Sequence, residues 1–311
     1  MDSDIPAYVL PSHPKKPPVS KRNLFIGFGI ILLVFIVILI AAAATLFFYR
    51  PFAEAVNARL LPLELQNAEF ISRGSTGAYT YVDGRLLPGP YGAAVFYKDS
   101  PEEKLAITRT QEGSYGIEFN GSVVITSPEP ILSVTLSPDG TQIAYARQLA
   151  GKDGSKAAED FEVILFLPAS GTSITVSPGF APFFIDDSHL GRFTNAGIYS
   201  IDLANSTQTE LLRQPFAQAL QSFSQSPDRT LIAWSDPITK ATYAFRVGES
   251  LERILSVPEY MPLLSLGNDA LYRLRLTRTG TAVLRYPWGE GSSPRLLYWL
   301  SRSLEINSIV L

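Results

Sequence analysis

Any chemistry in this chain would fall to carboxylates, hydroxyls and amides. Its 311 residues include no cysteine and two histidines, His13 and His189. That excludes thiol catalysis, disulfide frameworks and cysteine-based zinc sites. It also leaves no pair of neighbouring histidines for metal binding or proton relay. His189 follows Asp186, Asp187 and Ser188, which together have the composition of an acid–base cluster. Consecutive side chains point in different directions, however, so nearness in sequence is not a catalytic geometry. The segment reads first as a solvated turn. No G-x-S-x-G nucleophile elbow occurs.

Two other segments are candidates for binding. Residues 149–162, LAGKDGSKAAEDFE, carry Asp153, Glu159, Asp160 and Glu162. Such oxygens suit a hard cation, but the spacing matches no EF-hand loop, which needs acids at its first, third and fifth positions and a glutamate at its twelfth. Read as a hydrated insertion on one face of a domain, this segment ranks first for partner binding. Trp288, in the turn-rich run PWGEGSSP, is the second candidate, as an aromatic platform for a peptide or sugar. No residue set points to a cofactor or a resident metal.

Positioning such residues requires a scaffold, and its first element is apolar. Residues 24–49 contain no charge, and only Gly27, Gly29 and Thr45 fall outside the apolar set. As a helix the run spans about 39 Å, enough to cross a bilayer core of about 30 Å with some tilt. A cleaved signal peptide is the alternative, since 41–44 are small residues. The run is much longer than a signal h-region and continues through Phe47, Phe48 and Tyr49. Lys15, Lys16, Lys21 and Arg22 precede it, against Arg50 and Arg59 after it. The positive-inside rule then places the N-terminus in the cytoplasm and the rest outside. The tail, 1–23, holds five prolines and cannot fold alone. Residues 50–66 read as a short stalk, because Pro51 suits a helix start and Pro62 a stop.

From 67 to 311 the pattern becomes one of many short strands. Apolar runs of four to eight residues alternate with Gly, Pro, Ser, Asn and Asp. Ser137-Pro138-Asp139-Gly140 is followed by TQIAYAR, Ser226-Pro227-Asp228-Arg229 by TLIAWSD, and Ser100-Pro101-Glu102-Glu103 by KLAITR. Degenerate copies fall at Asp186 and Leu266, so the turns start near 100, 137, 186, 226 and 267, a period near 42. Proline presets φ at the second turn position, and Asp and Gly suit the next two. The following strand alternates large residues (Leu105 and Ile107, Ile143 and Tyr145, Ile232 and Trp234) with alanines at 106, 144 and 233. Small residues there would let neighbouring sheets approach closely.

SPDGTQIAYAR resembles the repeat of TolB-type β-propellers. Residues 81–109, with a D-G turn, a P-Y pair and then an S-P turn, resemble a related form, and the N-G turn recurs in IEFNGSVV at 117–124. The resemblance covers about 70–311 and implies fold rather than activity. It implies an all-β propeller; the five visible turns, with the two ends sharing one more blade, make six blades, with five or seven as alternatives, preceded by the one transmembrane helix of 24–49. Residues 304–310 should complete a blade begun near 67, closing the ring and removing exposed edges.

The functional expectation is a membrane-anchored, non-catalytic binding or scaffold protein of the cell envelope, recognising a protein or peptide. The alternative is an envelope hydrolase or lyase acting on peptide or glycan through a carboxylate pair at the propeller funnel. With 26 basic and 29 acidic residues, a net charge of -3, nucleic acid is not expected as a partner.

Overall fold

The apolar run forms one helix, α1 (Lys21–Phe48), long and apolar enough to cross a membrane between Phe25 and Thr45. The chain divides into two units, one ending at Thr45 and one running from Leu46 to Leu311. The computed structural model describes residues 21–49, 62 and 65, the strands between 69 and 109, and 114–310 apart from 153, 221, 263, 290–292 and 302–305. The basic tail and almost all of the expected stalk lie outside the described residues. Of the stalk, Leu65 is buried, and its amide donates to Pro62 O at 2.9 Å.

The second unit is built of antiparallel strands in sets of four. Sheet I holds β1 (Glu69–Gly74), β2 (Gly77–Val82) and β3 (Arg85–Pro88). Sheet II holds β4 (Ala94–Phe96), β5 (Lys104–Arg109), β6 (Tyr115–Phe119) and β7 (Ser122–Ser127). Sheet III holds β8 (Ile131–Leu136), β9 (Ile143–Gln148), β10 (Phe161–Leu167) and β11 (Thr172–Pro178). Sheet IV holds β12 (Phe180–Phe184), β13 (His189–Phe193), β14 (Ile198–Asp202) and β15 (Gln208–Leu212). Sheet V holds β16 (Phe223–Gln225), β17 (Leu231–Asp236), β18 (Ala241–Arg246) and β19 (Glu252–Val257). Sheet VI holds β20 (Leu264–Leu266), β21 (Ala270–Leu276), β22 (Gly280–Pro287) and β23 (Arg295–Ser301). The last strand, β24 (Ile306–Val310), returns to sheet I and pairs with β1, Glu69 opposite Val310. The described strands thus form six four-stranded sheets, and one of them joins the two ends of the domain.

In each sheet the first strand is innermost and the fourth outermost, with β24 innermost in sheet I. Successive sheets touch: β8 lies against β5, β12 against β8 and β9, β20 against β16, and β24 against β20 and β21. This is a β-propeller. Sheets III to VI each meet a neighbour on both faces, which accounts for second strands as buried as β17, whose six residues are all inside.

The alternation in the second strands sorts residues between neighbours. Ile143 and Tyr145 pack with Leu105 and Ile117 of the preceding sheet II. Ala144, between them, faces Phe184 and Leu190 of the following sheet IV. Ile232 and Trp234 likewise pack with Phe183 and Phe193 of sheet IV, while Ala233 meets Leu266 and Leu271 of sheet VI. The alanine leaves room for the bulkier residues of the next sheet, as its size requires. The side chain of Ala106 lies outside the described residues.

The outer edges carry a second repeated device. The pairings β6–β7, β10–β11, β14–β15, β18–β19 and β22–β23 each contain a register shift. Bulges of this kind twist an exposed edge and spoil it as a template for further strands.

Candidate functional site

Antiparallel order gives the propeller two chemically different ends. At one, the turn end, the first strand of sheets II to VI turns into the second, and third strands join fourth strands. At the other, the connector end, second strands join third strands and each sheet passes to the next.

The turn end is made by the repeat motif. Ser137 Oγ donates to Asp139 Oδ1 at 2.6 Å and accepts the Gln142 amide at 2.9 Å. Asp139 Oδ1 also accepts the Thr141 amide at 3.0 Å. Pro138 sets the turn, and Gly140, at φ 72, closes it with its amide on Ser137 O at 3.0 Å. The second copy repeats this, with Ser226 Oγ to Asp228 Oδ1 at 2.6 Å and the Leu231 amide to Ser226 Oγ at 2.9 Å. Pro227 takes the place of Pro138.

Neighbouring turns are stitched together. The Asp139 amide donates to Asp187 Oδ1 at 2.9 Å, and the Asp228 amide to Asn268 Oδ1 at 3.3 Å. Asp186 accepts the Ser188 and His189 amides and His189 Nδ1 at 2.7–2.9 Å. Asp269 accepts Tyr272 OH at 3.1 Å and Arg285 Nη2 at 2.9 Å. Partial burial is the largest influence on Asp139, Asp186 and Asp228 and pushes their pKa up. The hydrogen bonds they accept outweigh it and hold all three below the usual carboxylate value. These carboxylates act as caps and stitches, and His189 is part of one such turn.

The insertion lies at the connector end. It is anchored, where the sequence suggested a free hydrated loop. The Ala219 amide donates to Lys156 O at 2.9 Å, the Ala158 amide donates to Ala217 O at 3.3 Å, and Ala157 bridges Gln218. The partner segment, 213–222, is the long connector between sheets IV and V. Ala158, Phe216, Ala219 and Leu220 are buried in one cluster with Phe180, Phe193 and Trp234. Phe193 meets Trp234 edge-on at 5.2 Å, and Trp234 stacks on Phe245 at 4.7 Å.

The three described acids of the insertion, Glu159, Asp160 and Glu162, do not converge. Asp160 is buried, accepts Ser155 Oγ at 2.5 Å and pairs with Lys152 Nζ at 3.1 Å. The Ser155 hydroxyl, and then Lys152, hold its pKa below the usual range. Gln148 Nε2 donates to the carbonyls of Lys152 and Ser155. Glu162 pairs with Arg147 on β9 at 2.6 Å. Glu159 is exposed, and Asp153 lies outside the described residues. Among the described residues no three His, Asp or Glu side chains gather as metal ligands. Trp288 is half-buried against the cluster of sheets V and VI, its indole nitrogen donating to Asn268 O at 3.3 Å. It belongs to the turn end, so the two candidate segments lie at opposite ends of the propeller.

The sequence reading missed three features. The connector 258–263 is cemented by Ser222 and Ser235 hydroxyls donating to Met261 O at 2.7 and 2.9 Å, and by Thr242 Oγ1 donating to Glu259 O at 2.7 Å. Glu259 pairs with Arg273 at 2.5 Å and accepts Tyr286 OH at 3.2 Å. Arg273 is the chief reason that its pKa is lowered. Arg192 is buried in β13. It donates to Pro178 O at 2.6 Å and Gln208 Oε1 at 3.0 Å and lies over the Tyr199 ring, and burial lowers its pKa to about 10. Arg229 occupies a position that is glycine in the sister turn. Only this last had a sequence signal, in the change from S-P-D-G to S-P-D-R.

The architecture defines the class: a β-propeller preceded by one long apolar helix. No family model matches the chain, and no curated protein matches it by sequence. Among solved structures it is similar to TolB from Acinetobacter baumannii, with a TM-score of 0.53 and 11% identity, covering 79% of this chain and 70% of that one. It is also similar to a chain in a nidogen/laminin complex, with a TM-score of 0.52 and 10% identity, covering 78% of this chain and 97% of that one. At such identities the likeness is one of fold.

Proposed function

We propose that the chain is a membrane-anchored, non-catalytic propeller of the cell envelope that recognises a protein or peptide partner at its connector end. The observation carrying this reading is the docking of the insertion onto the connector 213–222. It makes a surface from parts of sheets III, IV and V that is already formed, and a partner would bind it without first paying to order a loop. On this surface Lys156, Glu159, Arg213, Ala217 and Gln218 are exposed. The carboxylates of the turn end, by contrast, are engaged in caps and stitches.

Helix α1 anchors the protein uncleaved, with residues 1–23 in the cytoplasm, 24–49 in the bilayer, 50–66 as a stalk and 67–311 outside. Every described residue from Phe25 to Thr45 apart from Gly27 is exposed, as a lipid-facing helix would be. Each four-stranded sheet is one blade, giving six in a ring closed by β24.

In-cell crosslinking of the tagged full chain, followed by mass spectrometry, tests the reading. The expected result is a stoichiometric envelope partner. Absence of any enriched partner in repeated trials, together with turnover in a peptide and glycan substrate screen, would sink it in favour of an enzyme.

A further inference from the structure

At the turn end each innermost strand pairs on one side only. Its last hydrogen bond to the second strand is made by the residue just beyond the strand: the Ser137 amide to Gln142 O, Ile185 to His189 O, Ser226 to Leu231 O, and Gly267 to Ala270 O. In an antiparallel ladder the preceding residue is then a non-hydrogen-bonded one, with its backbone groups directed off the sheet. Those residues are Leu136, Phe184, Gln225 and Leu266, the last of β8, β12, β16 and β20. Their carbonyls therefore turn toward the propeller axis. A ring of backbone carbonyls is an environment that favours a cation.

Two of these carbonyls are held by side chains of sheet V. Gln225 Nε2 donates to Phe184 O at 2.8 Å. Arg229 Nη1 donates to Leu136 O at 2.9 Å, so its side chain reaches from sheet V to sheet III. Arg229 adopts φ 62, where the sister turn has Gly140 at φ 72. A long side chain in the left-handed region is a departure from local preference, and departures of that kind concentrate where the residue has a task. The task visible here is to carry a guanidinium to the inner-strand carbonyl of Leu136.

We propose that these carbonyls form a cation site on the propeller axis at the turn end, and that the chain's own Arg229 guanidinium occupies it. Arg229 is thus a tethered cation. The inference is independent of which partner binds the connector end.

Chemical rescue tests it. R229G keeps a turn that Gly140 shows to be compatible with glycine, and R229A serves as a second variant. The full chain in detergent is melted with increasing methylguanidinium chloride, and with sodium chloride at equal ionic strength. Binding of methylguanidinium to the vacated site raises the midpoint by mass action. The expected result is a saturable rise of about 2–4 °C in the variants, beyond that given by sodium chloride, the shift that about 1 kcal/mol gives in a domain of this size. The wild type, whose site is filled, should respond equally to the two salts. If the variants respond to methylguanidinium no more than to sodium chloride, or if wild type and variants rise together, the proposal is wrong.

Discussion

The two ends of the propeller are built from different kinds of information. The turn end is local. Each S-P-D turn is held by hydrogen bonds within six residues, and its links to neighbours are a few hydrogen bonds, such as the Asp139 amide and Gln142 Nε2 to Asp187. The connector end is non-local. The insertion pairs with a segment some sixty residues away, and the cluster beneath them draws on sheets III, IV and V. A turn of the first kind can be lost with modest damage, because its strands keep their own ladder. A docked segment of the second kind is coupled to a core, so changes there propagate. The difference also bears on function: the local end repeats and is spare in variety, whereas the non-local end is individual to one side of the ring, as a recognition surface needs to be.

Four perturbations test this contrast, from the largest effect down. Removal of residues 304–311 takes away β24, the innermost strand of sheet I. The cooperative melting transition of the domain should disappear; a retained sharp transition in calorimetry would show that the ring does not depend on this closure. Phe216→Ala, at the connector end, removes a ring that contacts Phe180, Phe193 and Trp234. Urea denaturation should show a loss of about 3–5 kcal/mol. Ser226→Ala, at the turn end, removes the hydroxyl that caps Leu231 and holds Asp228. The same measurement should give about 1 kcal/mol. A turn-end loss as large as that of Phe216→Ala would erase the contrast.

The fourth perturbation is acid. Asp139, Asp186 and Asp228 have pKa values lowered in the folded protein. Their contribution is therefore full above the unfolded carboxylate value, about 4, and is lost as pH falls through the folded values. The melting midpoint should drop between about pH 5 and pH 2, and the D139N/D228N double variant should show a shallower drop. These carboxylates are well exposed, so the effect is the smallest of the four. An unchanged slope in the double variant would remove the turn carboxylates from the account.

The same contrast explains what the sequence disclosed. The strands, the turns and the alternation of large residues with alanine are short-range patterns, visible in SPDGTQIAYAR and SPDRTLIAWSD. The return of residues 306–310 to β1 could be argued because exposed edges are costly. The docking of Ala157 onto Gln218 could not, because neither segment carries a pattern that names its partner. Asp160 and Glu162 looked like members of one acidic cluster, but Asp160, in the short 3-10 turn before β10, meets Lys152, and Glu162, on β10, meets Arg147. Trp288 looked exposed because its neighbours are turn formers, yet it leans on the core of sheets V and VI. Arg229 was legible as a departure from S-P-D-G, whereas its reach to Leu136 depends on sheets two apart in the ring.

Site-specific photocrosslinking in cells tests the central claim most directly. A photoreactive residue is placed at Lys156 or Gln218 on the connector end, and at Asp187 or Asn268 on the turn end, in the full-length chain. A discrete adduct with one envelope protein or peptide is expected from the connector-end positions and none from the turn-end positions. Adducts formed only from Asp187 or Asn268, or equally from both ends, would contradict the claim.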